Sequence, residues 1–269
     1  MSEGQARFLT GSLTRHIITM SLTAAVGLLA LFVVDLVDMV FISMLGVAEL
    51  AAAVGFAGSI LFMTTSVSIG FSIAAGALVA RALGEGHPER AGQVLTHVLV
   101  FGFVFAVGFA AAIFVSLPAL TALVGATGET QALAMSYLRI LIPTMPVLMI
   151  GMIASAALRA HGAANLSMMV TIIGGVVNAM LDPVFIFVLD MGLDGAAWAS
   201  VAARLSIAGS AIWFLSSRYG GIPGANIPAV LKDFRTIAAL AIPAMLANVA
   251  TPVGSAYVTR AAAAFGEEA

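Results

Sequence analysis

The sequence predicts an all-α, polytopic membrane protein. Three observations predict it: a composition too apolar for a soluble fold, a series of apolar stretches of bilayer length, and a one-sided distribution of cations among the connections. Of the 269 residues, 61% are hydrophobic and only 9% are charged, whereas soluble domains carry about 25% charged residues. A globule of this size cannot hide so much apolar surface, because a large share of any globule stays wet. Lipid is therefore the expected solvent. The net charge of −2 comes with no basic stripe, so no nucleic-acid partner is expected. There are no cysteines, which excludes disulfides and thiolate metal sites.

The elements follow in order. The opening MSEGQARFLTGSLTRH is polar and weakly basic, with no small-residue cleavage site closing a short apolar core, and residues 1–15 read as a cytoplasmic tail. A spanning helix needs about 17–25 predominantly apolar residues. Such stretches run over 16–45, 50–80, 92–118, 131–158, 165–190, 193–217 and 236–265. The first two are long enough to tilt or to project beyond the hydrocarbon. Between them stand turn-like or charged breakers: LGVAE, LGEGHPER, LVGATGET, AHGAAN, DMGLDG and SSRYGGIPGANIP. Gly70, Ala74, Ala75 and Gly76 are small residues of the kind that let membrane helices pack closely.

Orientation follows from the cations. Arg7, Arg15, Arg81, Arg90, Arg159, Arg218, Lys232 and Arg235 all fall on one set of connections. The other set holds Glu49, Glu129, Asp190 and Asp194 and no Lys or Arg. Cytoplasmic loops carry the Lys/Arg excess, so the N-terminus is expected inside. Arg139, Arg204 and Arg260 fall within spans.

Charges at membrane depth are costly, face the protein interior, and mark ion or substrate paths. Counted at about 1.5 Å per residue, Asp38, Asp182 and Ser200 lie on three different spans at one level, about 10 Å below the outer surface. Asn178 sits one turn deeper than Asp182 on the same face, and Tyr137 of the fourth span falls at a similar depth. Two neighbouring carboxylates in low dielectric cannot both stay ionised cheaply. Such a pair suits a proton or, with amide and hydroxyl oxygens, a hard cation such as Na⁺ at Asp38, Asn178 and Asp182. A structural reading stands beside this one: Asn178 and Ser200 can glue helices together, and Asp182 can cap a turn before Pro183. Arg204, one turn beyond Ser200, can pair with a carboxylate or bond carbonyls within the bundle, and the second reading is preferred. The histidines show no metal-ligand spacing, and GEG at 84–86 lacks the strand and GK[ST] of a phosphate cradle. No cofactor and no enzymatic activity are expected.

Several stretches resemble the multidrug and toxic compound extrusion (MATE) family: VDLVDMVFISMLGVAELAA at 34–52, GFSIAAGALVARALGEG at 70–86, YLRILIPTMPVLMIGMIASAALRAHG at 137–162 and, most distinctive, VVNAMLDPVFIFVLDMGLDGAAWAS at 176–200. The resemblance implies secondary active efflux of a small cationic or amphipathic compound by H⁺ or Na⁺ antiport, from the cytoplasmic (inner) membrane of a prokaryote, by a protein monomeric when full length. It implies a cation site of the DinF-like branch at Asp38, Tyr137, Asn178, Asp182 and Ser200, where relatives commonly have Thr at the last position. Relatives often have Asn where this chain has Asp35, so Asp35 joins Arg204 as an auxiliary candidate. Ser21, Leu22 and Thr23 stand where a proline is common. The NorM branch carries a seventh-helix Glu; here only Asn248 precedes Glu267.

The family has twelve helices in two lobes. The expectation is therefore a six-helix MATE-type N-lobe at 16–217, a cytoplasmic linker at 218–235, and at 236–269 the first helix of a truncated second lobe. Aligning Gly46 with Gly266 sets Pro243 opposite Thr23, as a parallel internal repeat would. A lipid-linked precursor flippase on a related scaffold is the competing function, against which the Asn178–Asp182 spacing together with Asp38 weighs.

Overall fold

A computed structural model describes residues 13–263. The described residues form eight α-helices: α1 (Leu13–Ser43), α2 (Ala48–Gly84), α3 (Pro88–Leu123), α4 (Gly128–Leu141), α5 (Met145–Ala160), α6 (Ala164–Pro183), α7 (Gly192–Arg218) and α8 (Ile227–Ala263). A 3₁₀ turn, Ile142–Thr144, joins α4 to α5, and a π turn, Val184–Val188, extends α6. Six stretches are long and apolar enough to cross a bilayer: Glu49–Gly84, Pro88–Leu123, Gly128–Ala160, Ala164–Val188, Gly192–Arg218 and Ile227–Ser255. The 31-residue α1 is about 46 Å long at 1.5 Å per residue. The chain is a multi-pass membrane protein. Arg7, Gly266 and Glu267 lie outside the described residues.

The connections fall inside the breaker segments, and glycine sets their geometry. After α2, α3 and α5 the chain closes the same motif: His87, Ala126 and Ala163 each donate a backbone N–H to the carbonyl five residues back, at 2.9 to 3.0 Å. The glycine before each has positive φ, as at Gly86, with φ 80°, the left-handed conformation that ends a helix without a Cβ penalty. The last connection differs from expectation. Helix α8 starts at Ile227 rather than at 236, because the Asn226 carbonyl accepts the Val230 N–H at 2.9 Å and Pro228 sits in the first turn, where a missing N–H costs nothing. Lys232, Asp233 and Arg235 are thereby helical.

Small residues let the helices meet. A Cβ on Gly70 would run into Met245, and one on Gly151 would lie 2.8 Å from Ile207, so α2 approaches α8 and α5 approaches α7 at these positions. In lipid there is no hydrophobic drive between helices, and close backbone packing carries the association. The cores between the helices are apolar, around Leu95, Met149 and Ile153 towards one end and Leu138, Ile142 and Ile186 towards the other. The outer flanks expose Val104, Phe114, Val115 and Trp213, as lipid contact requires.

Near one end, α3 and α8 are tied by polar groups. Asp233 accepts from Arg90 Nη2 at 2.6 Å and meets His97 Nδ1 at 2.5 Å. The Thr96 hydroxyl donates to the Pro223 carbonyl at 2.8 Å. His97 is buried, and Asp233 supplies its partner.

Candidate cation site

The geometry at Asp38 and Asp182 begins with a missing side chain. Gly175 of α6 has no Cβ; one placed there would lie 2.8 Å from Val34 Cγ2. Helix α1 therefore approaches α6 closely at Val34. Both helices run in the same direction, so Asp38, one turn beyond Val34, arrives level with the Asn178–Asp182 turn. The carboxyl groups of Asp38 and Asp182 come near enough for one proton to be shared between them.

Asp182 is completely buried, and Asn178 is buried one turn before it. No amide, hydroxyl or cationic donor among the described residues reaches either oxygen of Asp182, and the Asn178 Nδ2 has no acceptor. Buried polar groups in native proteins are nearly always hydrogen-bonded. Leaving a buried donor or acceptor unsatisfied costs about 1–3 kcal/mol, more for a charged group. A carboxylate held this way is stabilised by what binds it. Pro183 and the π turn lie directly beyond Asp182; Leu189 donates its N–H to the Val184 carbonyl at 2.9 Å. Such π turns interrupt helices frequently at functional sites. The turn is possible because Gly195 of α7 lets the Phe185 backbone approach; a Cβ there would lie 2.7 Å from the Phe185 carbonyl.

Tyr137 and Ser200 complete the cluster. Tyr137 lies buried in the last turns of α4, and its hydroxyl is within hydrogen-bonding reach of Ser200 on α7. It is also close enough to feel Asp38, Asp182 and Arg204 at once. All five residues expected at the site therefore gather, from four spans.

The two auxiliary candidates separate. Arg204 turns to the break in the fourth span: its Nη1 donates to the Leu141 carbonyl at 2.8 Å and to the Thr144 hydroxyl at 2.7 Å. Asp35 lies on α1, and its side chain is outside the described set. The donor chemistry fits a hard monovalent cation or a proton, since carboxylate, amide and hydroxyl oxygens are all available and no thiolate exists. Sequence reasoning missed three participants. Gly175 and Val34 set the approach of α1 to α6, and Thr144 receives Arg204; the Pro143 and Pro146 pair was the one available signal for the break.

A family model described as MatE matches residues 23–184, more than half of the chain. The chain belongs to the MatE family. Asp38, Tyr137, Asn178 and Asp182 lie inside the matched stretch, and Ser200 and Arg204 beyond it. Among curated relatives, a FAD transporter of Shewanella oneidensis is 25% identical over 93% of this chain and 56% of its own length. The multidrug export protein MepA of Staphylococcus aureus is 26% identical over 70% of this chain and 42% of its own. The chain thus spans about half the length of the curated relatives it matches. Among solved structures, a MATE protein in complex with MaD3S superposes with a TM-score of 0.84 at 24% identity, covering 100% of this chain and 61% of that one. A MOP-superfamily transporter from Pyrococcus furiosus gives 0.82 at 24% identity, covering 93% and 55%. An inward-facing MATE-family multidrug resistance transporter gives 0.79 at 25% identity, covering 87% and 54%. The fold is that of these transporters.

Proposed function

We propose that this chain forms the cation-coupling part of a secondary active exporter that moves a small organic compound out of the cell in exchange for H⁺ or Na⁺. One observation carries the reading. Asp182 is fully buried with neither oxygen receiving an amide, hydroxyl or cationic donor among the described residues, and Asp38 stands beside it. A lone structural carboxylate would be satisfied by its surroundings; this pair is complemented by an incoming positive charge. The entering ion relieves the repulsion between two carboxylates in low dielectric, while Asn178, Tyr137 and Ser200 offer further oxygens to Na⁺. Occupancy biases the helix arrangement only to the extent that the two arrangements differ in affinity for the ion. In this reading residues 16–217 act as one lobe, α8 opens the second, and the substrate path runs between them. The names of the relatives, a FAD transporter and a multidrug export protein, agree on transport and differ on cargo. Arg81, Arg90, Arg159, Arg218, Lys232 and Arg235 flank the connections at 85–87, 161–163 and 219–226, and this Lys/Arg bias supports a cytoplasmic N-terminus in the inner membrane of a prokaryote.

The test is transport by the full-length protein in liposomes, with an imposed proton or Na⁺ gradient and two cargoes, a cationic dye and a flavin dinucleotide. Export of at least one cargo that stops when the gradient is collapsed is expected. Gradient-independent movement of both would contradict the reading. Single cysteines at Glu85 and Glu129 test the orientation: an impermeant thiol reagent on intact cells should label position 129 and spare 85, and the reverse pattern would overturn it.

A further inference from the structure

We propose that Arg204 is a positioning residue for the cation site: it bolts α7 to the broken middle of the fourth span and so holds the Tyr137 hydroxyl against Ser200, beside the two carboxyl groups. The inference rests on the reading of Asp38 and Asp182 as that site.

The break changes how the Leu141 carbonyl is bonded. Pro146 has no N–H, and in the 3₁₀ turn the Met145 N–H goes to the Ile142 carbonyl. In a continuous helix the Met145 N–H would have gone to Leu141. The turn Ile142–Thr144 follows the i→i+3 pattern instead, so the Leu141 carbonyl exchanges its α-helical donor for the Thr144 N–H and keeps a second lone pair for side chains. Two side-chain groups add to that bond. The Thr144 hydroxyl donates to Leu141 at 2.7 Å, and Arg204 Nη1 donates to the same carbonyl at 2.8 Å while also bonding the Thr144 hydroxyl at 2.7 Å. The result is a closed triangle that no other cation among the described residues shares.

Register then carries the effect to the site. Tyr137 lies one turn before Leu141 on α4, and Ser200 one turn before Arg204 on α7, and both helices run the same way. Two contacts therefore stand side by side at i and i+4 on each helix: Tyr137 lies beside Ser200, and the Leu141 carbonyl accepts from Arg204. A third contact, Ser136 to Asp194 at 2.9 Å, closes the pair nearer the other end. Residues four apart share a helix face, so loosening the Arg204 rung lets α4 slide or roll beneath Tyr137. Commitment of the guanidinium to a carbonyl and a hydroxyl also leaves the carboxyl pair to the incoming cation.

The experiment uses full-length protein in which Trp213 and any tryptophan outside these 269 residues are replaced by Phe, so that Trp198, two residues from Ser200, reports Na⁺ binding by fluorescence at several pH values. Arg204→Met should weaken apparent cation affinity about tenfold, the scale of one well-placed hydrogen bond. Arg204→Lys, which keeps a donor for the Leu141 carbonyl, should recover most of that loss. Tyr137→Phe should weaken binding in the same direction, and the double variant Arg204→Met/Tyr137→Phe should be no weaker than the worse single one, because both act through one hydroxyl. Additive losses, or unchanged affinity in Arg204→Met, would overturn the proposal. Should Arg204→Met fail to insert, Thr144→Val paired with Tyr137→Phe gives the same cycle with a smaller first step. Wild-type binding in Asp182→Asn is the distinguishable outcome that removes the site itself.

Discussion

The partly buried Asp233 and the fully buried Asp182 both lie between helices, and they differ in what answers them. Near one end, Asp233 is answered by Arg90 and His97, so the charge is matched and α3 is fastened to α8. Near the other, Asp182 is more deeply buried and receives no amide, hydroxyl or cationic donor among the described residues, with a second carboxyl group as neighbour. The first arrangement is complete as it stands. The second, in the proposed reading, is completed by a cation or proton. Burial alone does not mark a functional carboxylate; burial with its hydrogen-bonding capacity left unfilled does.

The contrast can be broken by substitution at each place. Asp182→Asn or Asp38→Asn in the full-length protein should abolish ion-driven export while leaving membrane insertion intact, because the amide cannot exchange charge with the passing ion; wild-type transport rates would remove the distinction. Asp233→Ala should act in the opposite pattern. It should lower thermal stability, by about 1–3 kcal/mol for a buried network left half-satisfied, and leave cation affinity within about twofold, since it touches none of the site's helices at the site's level. A large loss of cation affinity in Asp233→Ala would mean that the two places are coupled. Ser200→Ala should be smaller, weakening binding by about threefold to tenfold through one lost hydroxyl. Asp35→Asn, which introduces the residue common among relatives, should be the mildest, and a loss equal to that of Asp38→Asn would make Asp35 part of the pair.

The contrast also explains what the sequence could reveal. The spans, their breakers and the gathering of Asp38, Asn178, Asp182, Ser200 and Tyr137 were legible, because apolar runs have a bilayer length and an acid within one stands out against its neighbours. The Asp233 cluster was not, because Arg90 and Asp233 are 143 residues apart and the acid sat in a stretch that looked like a linker. The role of Gly175 was equally silent: glycine is common here, and only the position of Val34 across the interface distinguishes this one. The break at Ile142–Thr144 had its signal in Pro143 and Pro146, but nothing local in the sequence told that Arg204 would bond the Leu141 carbonyl beside it. Preferences within one segment were readable, and pairings between distant segments were not.

The central claim is that Asp38 and Asp182 form one cation site, and direct binding tests it without requiring transport. Na⁺ binding to the purified full-length protein can be measured by titration calorimetry, at a pH high enough to keep protons from competing, and proton uptake by infrared difference spectroscopy of the carboxyl groups. If the two residues form one site, Asp38→Asn and Asp182→Asn each remove the same single binding event from this half of the molecule. A variant lacking either carboxylate that still bound the ion with wild-type affinity and stoichiometry would contradict it.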